Sequence, residues 1–173
     1  MNVMSEMKSQ SASHIDLAAL TAREYLSFRL ADEEYGIDIL RVQEIRGYEQ
    51  PTRIAGAPEC IRGVLNLRGV IVPIVDLRVY FGIDPRFDAV TVTVVLNVGG
   101  RVVGAVVDSV SDVLELAPGQ VKPAPAFNSG NAARYITGLG TLKQGEDERM
   151  LILLDIEELL AIPEIGLVEY HAH

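Results

Sequence analysis

Ile61-Arg62-Gly63-Val64-Leu65-Asn66-Leu67-Arg68-Gly69-Val70-Ile71-Val72-Pro73-Ile74-Val75-Asp76-Leu77 decides the fold, because the chain repeats its grammar later. Two aliphatic, β-branched runs, Ile61–Arg68 and Val70–Val75, flank Arg68-Gly69 and read as a hairpin turning at that pair. Asp76 stands where a helix N-cap belongs; a short helix follows through Phe81, and Gly82 ends it. Downstream, Ile136-Thr137-Gly138-Leu139 and Leu142-Lys143 repeat the pattern at an offset of 75. Leu153-Leu154-Asp155-Ile156 repeats it at an offset of 79. Tyr135–Leu142 and Met150–Leu154 therefore form a second hairpin, turning around Gln144-Gly145-Glu146-Asp147. Asp155 opens a helix, Glu158 completes a capping box, and Pro163 stops it.

The segments upstream of each hairpin also correspond. Leu26, Phe28 and Leu30 alternate with Ser27 and Arg29, a β period. Ala31-Asp32-Glu33-Glu34 turns, and Tyr35, Ile37 and Ile39 resume the alternation. Arg41–Arg46 reads as a third strand, with a helical reading through Ile39, Val42 and Ile45 open. In the second half Val90, Val92, Val94, Leu96 and Val98 alternate, Gly99-Gly100 turns, and Arg101–Val107 returns. Val110–Leu116 is a further strand, and Pro118, Pro123 and Pro125 mark an irregular stretch to about Asn131. Tyr35-Gly36, Val42, Glu44 and Ile45 match Val103-Gly104, Val110, Asp112 and Val113 at a constant offset of 68. Each half is thus about five strands and a helical turn. The expected class is all-β, from an internal duplication, each half closing into a small barrel because closure removes exposed edges.

Composition narrows the chemistry. The 173 residues hold 15 basic and 24 acidic side chains, a formal charge of −9, which argues against a general nucleic-acid binder. Aromatic residues are only 6%, and no basic stripe with interleaved aromatics appears. Cys60 is the single cysteine, which fits a reducing compartment and excludes cysteine-rich zinc sites. An unreactive thiol is the expected reading of it. Histidines stand only at 14, 171 and 173, so a nucleophile–histidine pair has no partner within the folded body. Gly138-Leu139-Gly140 lacks the third glycine and the strand-to-helix setting of a dinucleotide loop. A carboxylate-dependent enzyme on a duplicated barrel survives as the alternative of another class. It requires two convergent acids in a concave site, and Asp38, Asp76 and Asp155 stand poorly for that. No apolar run reaches membrane-spanning length and no secretory signal is apparent, so a cytoplasmic protein is expected.

The blocks Asp32–Ile39, Val42-Gln43-Glu44-Ile45, Ile61–Gly69, Ile71–Leu77, Val103-Gly104 through Val113-Leu114, and Ile136–Gly140 resemble the CheW-like family. That family comprises chemotaxis coupling proteins, the regulatory domain of the histidine kinase CheA and the CheV adaptors. The resemblance spans about residues 24–160. It implies two five-stranded SH3/OB-like β-barrels sharing a core, with short helices including one near the C-terminus. It also implies an adaptor without enzymatic activity or cofactor, bridging chemoreceptor cytoplasmic tips to the kinase regulatory domain within membrane-associated arrays. No kinase or receiver domain is visible, so a stand-alone coupling protein is expected; a coupling module of a related, non-motility array is the alternative. The expected layout is a tail over 1–20, helical near Leu17–Ala22, a core over 21–163 and a tail over 164–173. The first barrel lies mainly in 24–88 and the second in 89–163, with strand exchange between them open.

The same resemblance, carried residue by residue, assigns receptor binding to Val42, Glu44, Ile45, Gly63, Asn66, Arg68 and Gly69. Without it Arg68 reads as a solvated turn arginine, Val42 as core, Glu44 as surface, and both glycines as turn or bulge residues. Chemically, an arginine fork engages a carboxylate or carbonyl on a partner. A carboxylate flanked by apolar residues sets the register of a docked helix. A second contact surface, for kinase or receptor, comes from phase alone. Glu34, Gly36 and Asp38 alternate with the core row and are expected to face water, whereas their equivalents are Val102, Gly104 and Val106. That face needs cover, and with Thr93 and Val95 it makes Thr93, Val95, Val102 and Gly104 candidates; packing between barrels is the other reading. Six arginines against four acids between Arg41 and Arg78 give a locally basic segment suited to an acidic partner.

Overall fold

The computed structural model describes residues 22–124 and 134–161. Eleven strands form two mixed sheets. β1 (Arg23–Leu30), β2 (Glu33–Asp38), β8 (Ser109–Leu116), β9 (Val121–Lys122), β10 (Ile136–Gln144) and β11 (Asp147–Leu154) build a six-stranded sheet in the order β8-β1-β2-β11-β10-β9. β3 (Val42–Gly47), β4 (Ile61–Leu67), β5 (Val70–Asp76), β6 (Val92–Val98) and β7 (Arg101–Val107) build the other, ordered β3-β6-β7-β5-β4. Replacing each strand by its sequence duplicate turns one order into the other, apart from the two-residue β9.

The likeness extends to register. β5 runs parallel to β7 with Ile74 opposite Gly104, and β11 runs parallel to β2 with Leu153 opposite Gly36. Both hairpins carry a register shift at the equivalent place, Ile61/Gly63 and Ile136/Gly138. The sheets do not follow the halves of the sequence. Each draws strands from both, because β1 and β2 pair with β8 and β11 while β6 and β7 pair with β3 and β5.

Packing explains the arrangement. A large apolar cluster lies between the sheets, with Leu26, Phe28 and Ile37 from one, Val94, Leu96, Val103 and Ala105 from the other, and Leu77, Ile156 and Leu159 from the helical turns. Each sheet also curls around a smaller cluster of its own. Leu67, Val72, Ile74, Val95 and Val106 fill the five-stranded one. Leu116, Leu151 and Leu153 fill the other. Both faces of the central strands are therefore buried, one against the shared core and one inside the curl.

That double burial corrects part of the alternation reading. Ser27 is fully buried beside Phe28. Gly36 is buried and Glu34 is largely covered, held by Arg149, so these two do not face open water; Asp38 is half-buried at the strand's end, where it lines a surface cleft. Between β2 and β3 the chain makes a 3-10 turn over Ile39–Arg41, where Asp38 Oδ1 accepts the Leu40 N–H at 3.0 Å. This settles the open helix-or-strand reading as a turn followed by a strand. Helical turns at Leu77–Tyr80 and Ile156–Leu159 are N-capped by Asp76 and Asp155 as expected. The expected helix at Leu17–Ala22 and the stop at Pro163 fall outside the described residues, apart from Ala22.

Candidate functional site

The β4–β5 hairpin turns through Arg68 (φ 52°) and Gly69 (φ 86°). Two consecutive positive φ values make the primed turn whose twist matches paired strands. Asn66 Oδ1 accepts the Gly69 N–H at 2.9 Å and ties the turn. Glycine enters this region freely, while a side chain as large as arginine does so at some cost. Arg68 is thereby held at the tip with its side chain 69% exposed, and its Nη2 donates to Glu44 Oε2. Glu44 Oε1 also accepts from Arg46 Nη1 at 3.2 Å.

Glu44 sits on β3 and Arg68 beyond β4, the two edges of the five-stranded sheet. Their ion pair bridges those edges. The same edge strand and hairpin tip also carry Ile45, Val70 and Ile71, 44%, 50% and 54% exposed, Ile45 on the face of β3 opposite to Glu44, since Ile45 pairs with Val94 and Glu44 with Val95. An edge strand with apolar side chains in water and a charge pair among them has the make-up of a protein contact rather than of a catalytic cleft. Among the described residues no group of three or more His, Cys, Asp or Glu side chains could hold a metal ion.

Of the residues assigned from sequence, Glu44, Arg68, Asn66 and Gly69 come together here, while Ile45 projects from the other face of β3. Val42 lies at the start of β3, half-buried, with its side chain packed on the shared core. Gly63 is buried, at φ 141°, and a Cβ there would stand 2.0 Å from the Thr52 carbonyl oxygen. Its role is to admit the Thr52 segment, which bridges to Val64. Thr93, Val95 and Gly104 are buried inside the curl, and Val102 packs half-buried against the same cluster. Thr93, Val95 and Gly104 offer no surface and Val102 only part of its own: the apolar face that needed cover is covered by its own sheet. Arg46, bonded to Glu44, and the exposed Val70 and Ile71 were not assigned from sequence. Alternation puts either Val70 or Ile71 inside, but at the hairpin tip the sheet has run out and both project.

The equivalent place in the six-stranded sheet has different chemistry. Arg149 spans four strands, donating through Nε to Glu34 Oε1 at 2.6 Å and through Nη2 to Asp112 Oδ1 at 2.8 Å and Ser27 Oγ at 3.1 Å. The hydrogen bond from Arg149 holds the Glu34 carboxyl below the usual carboxylate range, against the opposing effect of burial. Arg149 stands where the other sheet has Val70, and Asp112 where it has Glu44. A polar lock closes one curl, and an apolar rim with a surface ion pair closes the other.

A sequence model described as the CheW-like domain matches residues 24–164. The chain is similar to a chemotaxis protein CheW of Klebsiella aerogenes, 60% identical over 85% of this chain and 87% of that one. It is also similar to a probable chemotaxis protein CheW of Rhizobium etli, at 34% identity over 82% and 90%. Among solved structures it resembles the scaffolding protein TtCheW of Thermoanaerobacter tengcongensis, with a TM-score of 0.70 and 29% identity, covering 82% of this chain and 94% of that one.

Proposed function

The chain belongs to the CheW-like family of chemotaxis adaptors and scaffolds, and from that premise we propose that it couples chemoreceptor cytoplasmic tips to the regulatory domain of a histidine kinase. It does so without catalysis or cofactor, by holding both partners at once. Two weak contacts on one body give a high effective concentration of kinase at the receptor. Control follows when the active and inactive assemblies bind the adaptor differently. The protein works on the cytoplasmic side, recruited to receptor arrays; no helix among the described residues is long and apolar enough to cross a membrane.

The observation that carries this reading is the Glu44–Arg68 pair across sheet edges that also carry exposed Ile45, Val70 and Ile71. Receptor helices are the first partner assigned to it. The kinase regulatory domain is the second, favoured by the edge position of β3, which suits a partner built of similar sheets. Co-sedimentation with receptor fragments tests the proposal. The chain is expected to carry kinase into the receptor pellet, and Arg68→Glu to reduce that about tenfold while staying folded. Separate binding assays tell which partner the variant loses. Kinase that sediments equally well without the chain contradicts the proposal.

A further inference from the structure

Two hairpins of the five-stranded sheet turn in the same way. Asn66-Leu67-Arg68-Gly69 leads from β4 into β5, and Asn97-Val98-Gly99-Gly100 leads from β6 into β7. Each closes through two residues at positive φ, 52° and 86° at Arg68 and Gly69, 59° and 82° at Gly99 and Gly100. In each the asparagine side chain spans the turn. Asn66 Oδ1 accepts the Gly69 N–H at 2.9 Å, and Asn97 Oδ1 accepts the Gly100 N–H at 3.2 Å. Leu67 and Val98 are both buried at the root of the turn, and Leu67 pairs with Val70 as Val98 pairs with Arg101. The turns differ at the first left-handed position, which is Gly99 in one and Arg68 in the other.

Glycine enters the left-handed region about as readily as the right-handed one, so at Gly99 the asparagine fastens a conformation that the backbone already favours. Arginine in the same conformation works against its own Cβ. Among the described residues Ala31 is the only other non-glycine residue at positive φ, and its side chain is a single methyl. In that turn too a side-chain oxygen holds the backbone: Asp108 Oδ2 accepts the Ala31 N–H at 2.7 Å. A sheet that needed only a turn at 68–69 is served by the paired glycines of the sister hairpin. A long, charged and exposed side chain held in a disfavoured conformation points to what it displays.

We propose that Asn66 is a positioning residue of the partner contact: it clamps the turn in the left-handed conformation that presents Arg68, and acts on the partner through Arg68 rather than by touching it. The proposal rests on the reading of Arg68 as a contact residue. Asn97, the same clamp on a glycine turn, serves the fold alone. Without its clamp Arg68 spends part of its time at negative φ, where the guanidinium leaves Glu44 and the tip loses its shape. Apparent affinity then falls with the fraction of molecules that keep the turn.

The test compares Asn66→Ala, Arg68→Ala, the two combined, and Asn97→Ala, all in the full chain. Binding to a receptor cytoplasmic fragment and to the kinase regulatory domain is measured separately by calorimetry, stability by the urea midpoint, and order in the turn by backbone nitrogen relaxation. Asn66→Ala is expected to lower the order parameter of Arg68 and to weaken, about fivefold, binding of the partner that Arg68→Ala loses. Asn97→Ala is expected to shift the urea midpoint by a similar amount and to leave binding unchanged. In the Arg68→Ala background, Asn66→Ala is expected to weaken binding no further. A further loss there shows that Asn66 touches the partner itself, and an equal binding loss in Asn97→Ala shows a defect of the whole sheet. Either result overturns the proposal, as does an Arg68 order parameter or an affinity that Asn66→Ala leaves unchanged. If Arg68→Ala binds both partners as the wild type does, it is the contact reading that fails, and the positioning role goes with it.

Discussion

Arg68 combines a left-handed backbone with an exposed guanidinium, and the two properties make different demands on a replacement. An exposed ion pair such as Arg68–Glu44 is worth about 0–1 kcal/mol. Arg68→Glu is therefore expected to shift the urea midpoint little and partner binding strongly. The exchange Glu44→Arg with Arg68→Glu separates the roles. It restores the ion pair across the sheet edges but reverses the charges shown to a partner, so binding is expected to stay lost, as read by calorimetry. At Gly63 the demand is steric. A Cβ 2.0 Å from the Thr52 carbonyl at φ 141° leaves no room, so Gly63→Ala is expected to cost more than about 2 kcal/mol in denaturant unfolding. Its binding defect then tracks the folded fraction. Glu34 has a titration signature. Its carboxyl is held low in the folded state, so its contribution is present above the ordinary carboxylate range and is lost as pH falls through its folded value. Urea midpoints of Glu34→Gln between pH 3 and 6 (a window set by that range) are expected to fall less steeply with acid than those of wild type.

At the scale of elements, the two helical turns share a sequence plan and differ in surroundings. Asp155 is exposed and acts as a cap, so Asp155→Ala is expected to cost about 1 kcal/mol. Asp76 caps its turn and also neutralises fully buried Arg78. Removing it leaves a buried cation short of its main partner, and Asp76→Ala is expected to cost about 3–5 kcal/mol in chemical denaturation. Much of the element plan was legible. Both hairpins, both aspartate caps and the bend at Arg68-Gly69 followed from turn chemistry and β-branched runs. The faces were read less well. Alternation assumes one face in the core and one in water, and it placed Glu34 and Gly36 in water because it does not foresee a curled sheet that buries both faces. The assignment of Glu44 to a contact came from resemblance rather than periodicity; the exposure of both Val70 and Ile71 was not legible because a hairpin tip obeys no period.

For the whole molecule, strand exchange is the organising fact. Residues 24–88 contribute β1 and β2 to one sheet and β3, β4 and β5 to the other, so neither half holds a complete sheet. Contiguous residue ranges say nothing of this, since both pairings leave the same alternation. A fragment ending at residue 88 is expected to lack a cooperative transition in circular dichroism, whereas the full chain unfolds in one step. The exchange also makes a rigid body of the two sheets, which a coupling role needs: contacts on one sheet are fixed relative to contacts on the other. Kinase autophosphorylation in the presence of receptor cytoplasmic fragments tests that role most directly. Activity is expected to rise on adding the wild-type chain and to stay near the receptor-free level with folded Arg68→Glu. Full receptor-dependent activity without the chain, or undiminished activation by Arg68→Glu, contradicts coupling through the Glu44–Arg68 face.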